Sequence, residues 1–436
     1  MEASLKTDGD SARLVNEIGK QWDPDGSRTL RRDDLATLLG DISDGSVSEA
    51  ESEQVFKFLD PQGHGTITLG TFMSWVMAQD TPAVPCAAAP GAAPAALAEE
   101  APPLPGSLPP ESPEPAARAA ATPARILVTG ASGLLGRQVM KALAKDTYEL
   151  RGLCSTRLRD GPKVRDQPKL VPADLTIDDA PRKLIEEFNP QIVINLVAQR
   201  QPDAVERNPE EARKVNVDLV RRLADACTSV GAWLLQISTD YVFDGTKPPY
   251  SVHDTPNPLN TYGKQKWEAE KLVEERAVHG AILRIPLLYG PIEFYNESSV
   301  TSLYASILSG TLVKADDLQK RYPAHTEDVA EVVRRMVQVR LQCRERLTGY
   351  FHWQGRECLT KYQMIQGIGA ARGIDISGVE PDKVAPAWPR PEDSSLDISR
   401  LEELLGGKTA CEDLHIPFVK ALKKIFSDVD AQAAEK

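Results

Sequence analysis

The stretch Arg125-Ile-Leu-Val-Thr-Gly-Ala-Ser-Gly-Leu-Leu-Gly-Arg137 constrains this chain more than any other. A short apolar run (Ile126, Leu127, Val128) leads into Gly130, Gly133 and Gly136. Leu134, Leu135, Val139, Met140 and Leu143 then recur at helical spacing. Strand, glycine turn and helix in this order aim backbone N–H groups and a helix N-terminus at a pyrophosphate. Gly130 allows the tight turn, Gly133 lets phosphates approach the backbone, and Gly136 lets the helix pack on the strand. With these flanks the motif predicts dinucleotide binding rather than an ordinary turn.

From Arg125 onward strands and helices alternate, which predicts an α/β fold. The expected architecture over residues 124–430 is a Rossmann-type doubly wound parallel sheet with a smaller C-terminal substrate or partner subdomain. The second strand is expected at residues 149–156. Enzymes that use NAD end this strand in an acidic residue that takes the ribose 2′-hydroxyl. Here it gives way to Ser155, Thr156, Arg157 and Arg159, which suit a 2′-phosphate, so NADP(H) is favoured and Arg157 is the candidate contact. Asp174 and Leu175 follow the third strand, where a carboxylate can accept from an adenine amine. Residues 191–198 form a buried strand whose end, Val197 and Ala198, lies beside the phosphate loop. The next strand, 234–240, carries Ser238, Thr239 and Asp240 to the carboxyl edge of the sheet, where ligands bind in such folds.

Tyr262-Gly-Lys-Gln-Lys266 follows. On a helix Tyr262 and Lys266 share one face. A lysine ammonium near a phenol is expected to lower the phenol pKa from about 10 toward neutrality. The same lysine can hold ribose hydroxyls, and the Thr239 hydroxyl can hydrogen-bond a carbonyl beside Tyr262. Together Thr239, Tyr262 and Lys266 are the candidate catalytic set for delivering a proton to oxygen as hydride reaches carbon. Asp240 is expected to orient Thr239. His325 and His352 are expected to pack or hydrogen-bond rather than react, and Trp353 and Trp388 to line a pocket or to serve as core or surface cover.

Residues 1–80 read as two helix–loop–helix units that resemble a paired EF-hand. The first loop places Asp23, Asp25 and Ser27 at positions one, three and five, the Thr29 carbonyl at seven and Asp34 at twelve, a candidate site for one weakly held Ca2+ or Mg2+. Arg28 replaces the usual bend glycine, and Asp34 is shorter than the usual Glu. The second loop starts at Asp60 and keeps Gly65 and Ile67. Gln62, His64 and Thr71 stand where its carboxylates would be, so it is expected to be metal-free. Residues 81–123 are Pro/Ala-rich and cannot bury enough apolar surface to offset ordering entropy, which predicts an extended spacer.

The formal charge of −12 argues against nucleic-acid partners and against a basic membrane-surface patch. No leader and no apolar run of membrane-spanning length is evident, and the six cysteines include no CxxC pair. A cytoplasmic protein with reduced thiols is the expectation.

The ordered set Gly130-x-x-Gly133-x-x-Gly136, Ser238-Thr-Asp-Tyr-Val-Phe-Asp-Gly245, Tyr262-x-x-x-Lys266 and Arg284-Ile-Pro-Leu-Leu-Tyr-Gly290 resembles the extended short-chain dehydrogenase/reductases, and within them the dTDP-4-dehydrorhamnose reductase family. Arg200-Gln-Pro-Asp203, Arg321-Tyr-Pro-Ala-His325 and Gly349-Tyr-Phe-His-Trp-x-Gly355 look most like one branch of it, the regulatory beta subunits of methionine adenosyltransferase. The resemblance implies an NADP site drawn from Gly130, Ser132, Gly133, Leu134, Leu135, Arg157, Asp174, Leu175, Val197, Ala198, Asn216, Ser238, Tyr262, Lys266, Ile285 and Pro286. It implies a methionine adenosyltransferase catalytic subunit as partner and modulation of S-adenosylmethionine synthesis. The reductase branch would instead act on a dTDP-sugar, with Tyr262 as proton donor to a 4-keto group. A calcium-responsive adaptor is the third reading.

Overall fold

The computed structural model describes residues 29–31, 35, 49–60, 65–68, 122–154, 169–343, 347–384 and 388–434. The chain divides into two units, Met1–Glu114 and Pro115–Lys436.

In the first unit a helix, Glu49–Leu59, lies in the chain between two short strands that pair antiparallel, β1 (Thr29–Arg31) and β2 (Thr66–Thr68). Leu30 lies opposite Ile67 in this register. These are the apolar residues that the sequence places at the eighth position of each loop. The Gly65 N–H donates to Asp60 Oδ2 at 2.7 Å, and Gly65 has φ +78°, a conformation that favours glycine. Of the metal-ligand candidates, Thr29 lies in β1, while Asp23, Asp25, Ser27 and Asp34 fall outside the described residues. Arg157 and most of the Pro/Ala-rich stretch also fall outside them.

The second unit contains β3 (Arg125–Thr129), β4 (Glu149–Cys154), β5 (Leu170–Pro172), β6 (Ile192–Asn195), β7 (Trp233–Thr239) and β8 (Gly280–Ile285). Short strands β9 (Leu288–Tyr289), β10 (Lys314–Asp316), β11 (Ala324–His325), β12 (Gly349–His352) and β13 (Glu380–Asp382) follow. Seven strands form one all-parallel sheet in the order β12–β8–β7–β6–β3–β4–β5. The strand order reverses between β3 and β6, the place where ligands bind in such sheets.

Side chains alternate across this sheet. Ile126, Val128, Ile192, Ile194 and Leu235 pack on one face against the helices Leu134–Leu143 and Thr326–Gln342. Leu127, Val193, Leu234 and Ile282 pack on the other against Ala180–Phe188, Leu219–Ser229 and Thr261–Arg276. Both faces are covered, which is why the strands read as continuous apolar runs. β9 pairs with β11, and β10 with β13, in a C-terminal subdomain whose core joins Tyr304, Met364, Phe418 and Phe426.

One ion pair is fully inside. Arg284 on β8 donates from Nε and Nη2 to the two Glu270 oxygens at 2.9 and 2.7 Å, with Arg284 2% and Glu270 0% exposed. The guanidinium also faces the Tyr350 and Phe243 rings. Arg284→Met would leave a buried carboxylate without its cation and should cost about 3–5 kcal/mol. Urea unfolding of the single variant beside Arg284→Met/Glu270→Leu tests this. The double variant should recover most of the loss, and equal stabilities for all three proteins would contradict the account.

Candidate functional site

The carboxyl ends of β3, β6 and β7 open into a cleft of about 690 Å³. Its first wall is the glycine turn. Gly130 has φ +68°, and its carbonyl accepts from Gly133 N–H at 3.0 Å, closing the turn. A Cβ at Gly136 would run into the Gly130 carbonyl and the Ala131 backbone, so this glycine lets the helix start directly on the turn. Gly133 differs. A Cβ there would meet only Gly130 O, at 3.3 Å, so the protein's own packing makes little demand for a glycine at the N-cap. The space it leaves faces the cleft.

The floor is a buried amide network. Thr129 Oγ1 donates to Asn195 Oδ1 at 2.6 Å, Asn195 Nδ2 to Gln236 Oε1 at 2.7 Å, and Gln236 Nε2 to the Ile237 carbonyl at 2.7 Å. Asn195 Oδ1 also accepts from Val197 N–H at 3.2 Å, which fixes the turn after β6 against the cleft.

The reactive end lies on the helix Thr261–Arg276. Asn260 caps it, its Oδ1 accepting from Gly263 N–H at 2.9 Å, and Glu206 accepts from the Thr261 N–H and hydroxyl at 2.6 and 2.8 Å. Tyr262 and Lys266 therefore leave the first two turns toward the cleft, which both line with Ser238 and Thr239. Lys266 Nζ donates to the Ile237 carbonyl at 2.7 Å. Thr239 donates to Asp240 Oδ1 at 3.1 Å, and Ser394 donates to Asp240 Oδ2 at 2.5 Å, so Asp240 does orient Thr239.

The electrostatics depart from expectation at Tyr262. Burial pushes its phenol up, with the Thr239 hydroxyl opposing and Asp240 adding to the rise. The expected depression by Lys266 is not found, because the ammonium is spent on the Ile237 carbonyl and is itself lowered by burial to about 8, with Glu270 opposing. Tyr262 is thus a neutral proton donor at physiological pH. Lys266 is the group whose charge is in play.

Ser132, Gly133, Leu134, Leu135, Asp174, Leu175, Val197, Ala198, Ile285 and Pro286 line the same cleft. Asp174 Oδ1 accepts from the Thr176 N–H and hydroxyl at 2.9 and 2.6 Å. Asn216 is set back: its side chain bonds the Gln199 backbone and Gln265 Oε1, so it shapes the loop and does not line the cleft. Ser238 Oγ is buried with no partner in the protein, although it lines the cleft. A glycine open to the cleft, a helix N-terminus and an orphaned hydroxyl at the strand end fit a dinucleotide with its phosphates at the turn.

The profile of the RmlD substrate binding domain matches residues 124–420. The chain belongs to the RmlD family. The methionine adenosyltransferase 2 subunit beta of Bos taurus is 40% identical over 289 residues, covering 65% of this chain and 84% of that protein. The dTDP-4-dehydrorhamnose reductase of Aggregatibacter actinomycetemcomitans is 29% identical over 294 residues, covering 65% and 94%. Among solved structures, the dTDP-4-dehydrorhamnose reductase of Bacillus anthracis, determined in complex with NADP, shares the fold. Its TM-score is 0.58 at 24% identity over 71% of this chain and 99% of that one.

This RmlD domain adds cations that sequence reasoning did not assign to the site. Arg200, Arg321, Lys361 and Arg390 also line the cleft. Arg321 Nη1 is tied to the Pro391 carbonyl at 3.0 Å and Arg390 Nη2 to Asp203 at 2.5 Å, while Arg390 Nε is buried and unpartnered. Burial, with Arg390 next, lowers the Lys361 ammonium pKa. Arg200 and Arg321 stand inside the quoted motifs. Lys361 stands in Thr360-Lys-Tyr362, a further stretch that resembles the branch, and Arg390 carries no local signal. The packed histidines match expectation: His352 bonds the Tyr250 carbonyl and Arg284, and Trp353 is 1% exposed. Trp388 is at the surface, 45% exposed.

Lys266 gives a pH signature. Its ammonium titrates near 8 in the folded chain against an ordinary 10.5. Below pH 8 both states hold the proton and the folded state bears the full cost of the buried charge. Between pH 8 and 10.5 only the unfolded chain keeps it, so stability rises with pH across that window. Lys266→Met should raise ligand-free stability at pH 7 by about 2 kcal/mol after the lost hydrogen bond is counted. Urea midpoints should converge as pH climbs from 8 to 10.5, and a variant less stable at pH 7 would contradict the assignment.

Proposed function

We propose that this chain is an NADP(H)-binding regulatory subunit of the methionine adenosyltransferase beta type, binding the catalytic subunit and modulating S-adenosylmethionine synthesis. The observation that carries the reading is the 40% identity to a beta subunit across 84% of that subunit's length, against 29% to a reductase. Arg157 and the turn at Gly130–Gly133 are the groups for the 2′-phosphate and pyrophosphate, and Tyr262 and Lys266 for the nicotinamide ribose. Bound NADP(H) would order the loops that line the cleft.

A second reading rests on a separate observation. Thr239, Tyr262 and Lys266 converge on one cleft that Arg200, Arg321, Lys361 and Arg390 also line, an arrangement suited to an anionic keto-sugar nucleotide. The reductase alternative is therefore NADPH-dependent reduction of a dTDP-4-keto-6-deoxyhexose. NADPH, when bound, supplies hydride. Tyr262 gives its proton to the forming alkoxide, Thr239 holds the carbonyl oxygen, and Lys266 holds the nicotinamide ribose hydroxyls.

Co-purification and turnover separate the two. The regulatory reading expects tight NADPH binding, a stable complex with a methionine adenosyltransferase catalytic subunit, and no oxidation of NADPH with dTDP-4-keto-6-deoxyhexose. Turnover that disappears in Tyr262→Phe, with NADPH affinity unchanged, would make the chain a reductase.

Residues 1–80 are read as a paired EF-hand-like domain and 81–123 as a spacer to the domain at 124–430. The Leu30–Ile67 pairing and the Asp60–Gly65 bond support the pair. One weak Ca2+ or Mg2+ at Asp23, Asp25, Ser27, Thr29 and Asp34 belongs to this reading, as does a calcium-responsive role. Calorimetric titration with Ca2+ should show one site that Asp23→Ala removes; a flat titration would make the pair purely structural.

A further inference from the structure

Segments of three quoted motifs meet outside the large cleft, one from the family-wide set (Arg284–Gly290) and two from the branch stretches (Arg321–His325 and Gly349–Gly355). Tyr289, Pro323–His325 and Trp353–Gly355 meet at a second cavity of about 190 Å³, closed by the segment 414–417 ahead of the last helix. None of the residues that meet there lines the first cleft.

The walls are rings. Trp353 and His415 stack at 4.8 Å and 17°, and Tyr289 meets His325 edge-on at 5.2 Å. Three nitrogens of these rings have no partner in the protein. His325 is 2% exposed and neither ring nitrogen has a partner in the protein, and His415 Nε2 is buried in the same condition. Burial lowers the pKa of both imidazoles to about 4, with Glu327 opposing at His325 and the Arg356 cation adding to the effect at His415. A neutral imidazole offers one donor and one acceptor. Asp328 also faces the cavity, with Oδ2 accepting from the Ile416 N–H at 3.0 Å, so the cavity wall is tied to the closing segment. Gly355 is obligatory here, because a Cβ would overlap the Pro323 carbonyl.

We propose that this second cavity is a binding site for a small, flat heteroaromatic molecule bearing a hydrogen-bond donor and acceptor, held between the rings and read by His325. The size fits, since a cavity of roughly 150 Å³ accommodates benzene. The orphaned imidazole supplies the specificity that a purely apolar void lacks. The site is independent of whether the large cleft regulates or catalyses.

The probe is 2-aminopyridine, titrated into the full chain saturated with NADPH, so that the large cleft is occupied. The His325 and His415 imidazole resonances are followed by nitrogen-correlated NMR, with toluene as the apolar isostere. The expected result is saturable shifts of both imidazoles and at least tenfold weaker binding of toluene. His325→Phe should lose at least tenfold in affinity for 2-aminopyridine, and His325→Gln, which keeps a donor and an acceptor, should lose less, with NADPH affinity unchanged in both. Wild-type resonances unmoved at millimolar probe would overturn the proposal and leave a hydrated void. Toluene binding as tightly as 2-aminopyridine, or full affinity in His325→Phe, would overturn it as well.

Discussion

The reactive end of this molecule hangs on one backbone carbonyl. Ile237 O accepts from both Lys266 Nζ and Gln236 Nε2. An ammonium inside a fold is tolerated only when it is hydrogen-bonded and near a counter-charge. Glu270, one turn further along the same helix, is that counter-charge, and it is in turn neutralised by Arg284 from β8. Arg284 reaches His352 on β12, and His352 reaches the Tyr250 carbonyl. The lysine of the candidate site is therefore the last member of a chain of buried polar groups that runs across the edge of the sheet. Packing alone would favour an apolar residue there. The fold carries a charge that works against its own stability, as functional sites do.

The same geometry accounts for why catalytic residues do not settle the role of the chain. A neutral phenol, a hydroxyl aimed by Asp240 and a lysine near its titration point make a competent proton-transfer set. They equally make a set of hydrogen-bonding groups for a ribose. Function resides in what reaches this site and not in the fold that presents it. The cations Arg321, Lys361 and Arg390 that line the cleft favour an anionic ligand. The second cavity takes Pro323, Ala324, His325, Trp353 and Gly355 from the branch motifs, while Arg200 and Arg321 of the same motifs line the cleft.

Much of this was legible in the residues. The glycine turn, the alternation of strands and helices and the Tyr262–Lys266 face are local patterns, set by chain sterics and by periodicities of two and 3.6 residues. The strand ends at Thr129, Asn195 and Thr239 fall where apolar runs give way to polar residues. The EF-hand-like loops announced Leu30 and Ile67 as equivalents, and they face each other. The cationic residues of the cleft were not legible as a group. Lys361 and Arg390 come from a helix start and a loop far along the chain, and no local spacing relates them to Tyr262. Asn216 was read as a cofactor contact and stands one layer back, bonded to Gln199 and Gln265. The phenol pKa was misjudged for the same reason: an i, i+4 spacing places a lysine near a tyrosine but does not say which acceptor its ammonium takes.

By itself, then, the sequence determined the class of fold, the position of the glycine turn and the identity of the hydroxyl, phenol and lysine that line the cleft. Each follows from short-range rules that act within a dozen residues. Only the tertiary structure decided their chemistry. Burial drives Tyr262 up and Lys266 down, Ile237 takes the ammonium, and segments distant in the chain enclose His325, neither of whose ring nitrogens has a partner. Desolvation and hydrogen-bond supply depend on which segments close over a group, and that is settled only when the whole domain has packed.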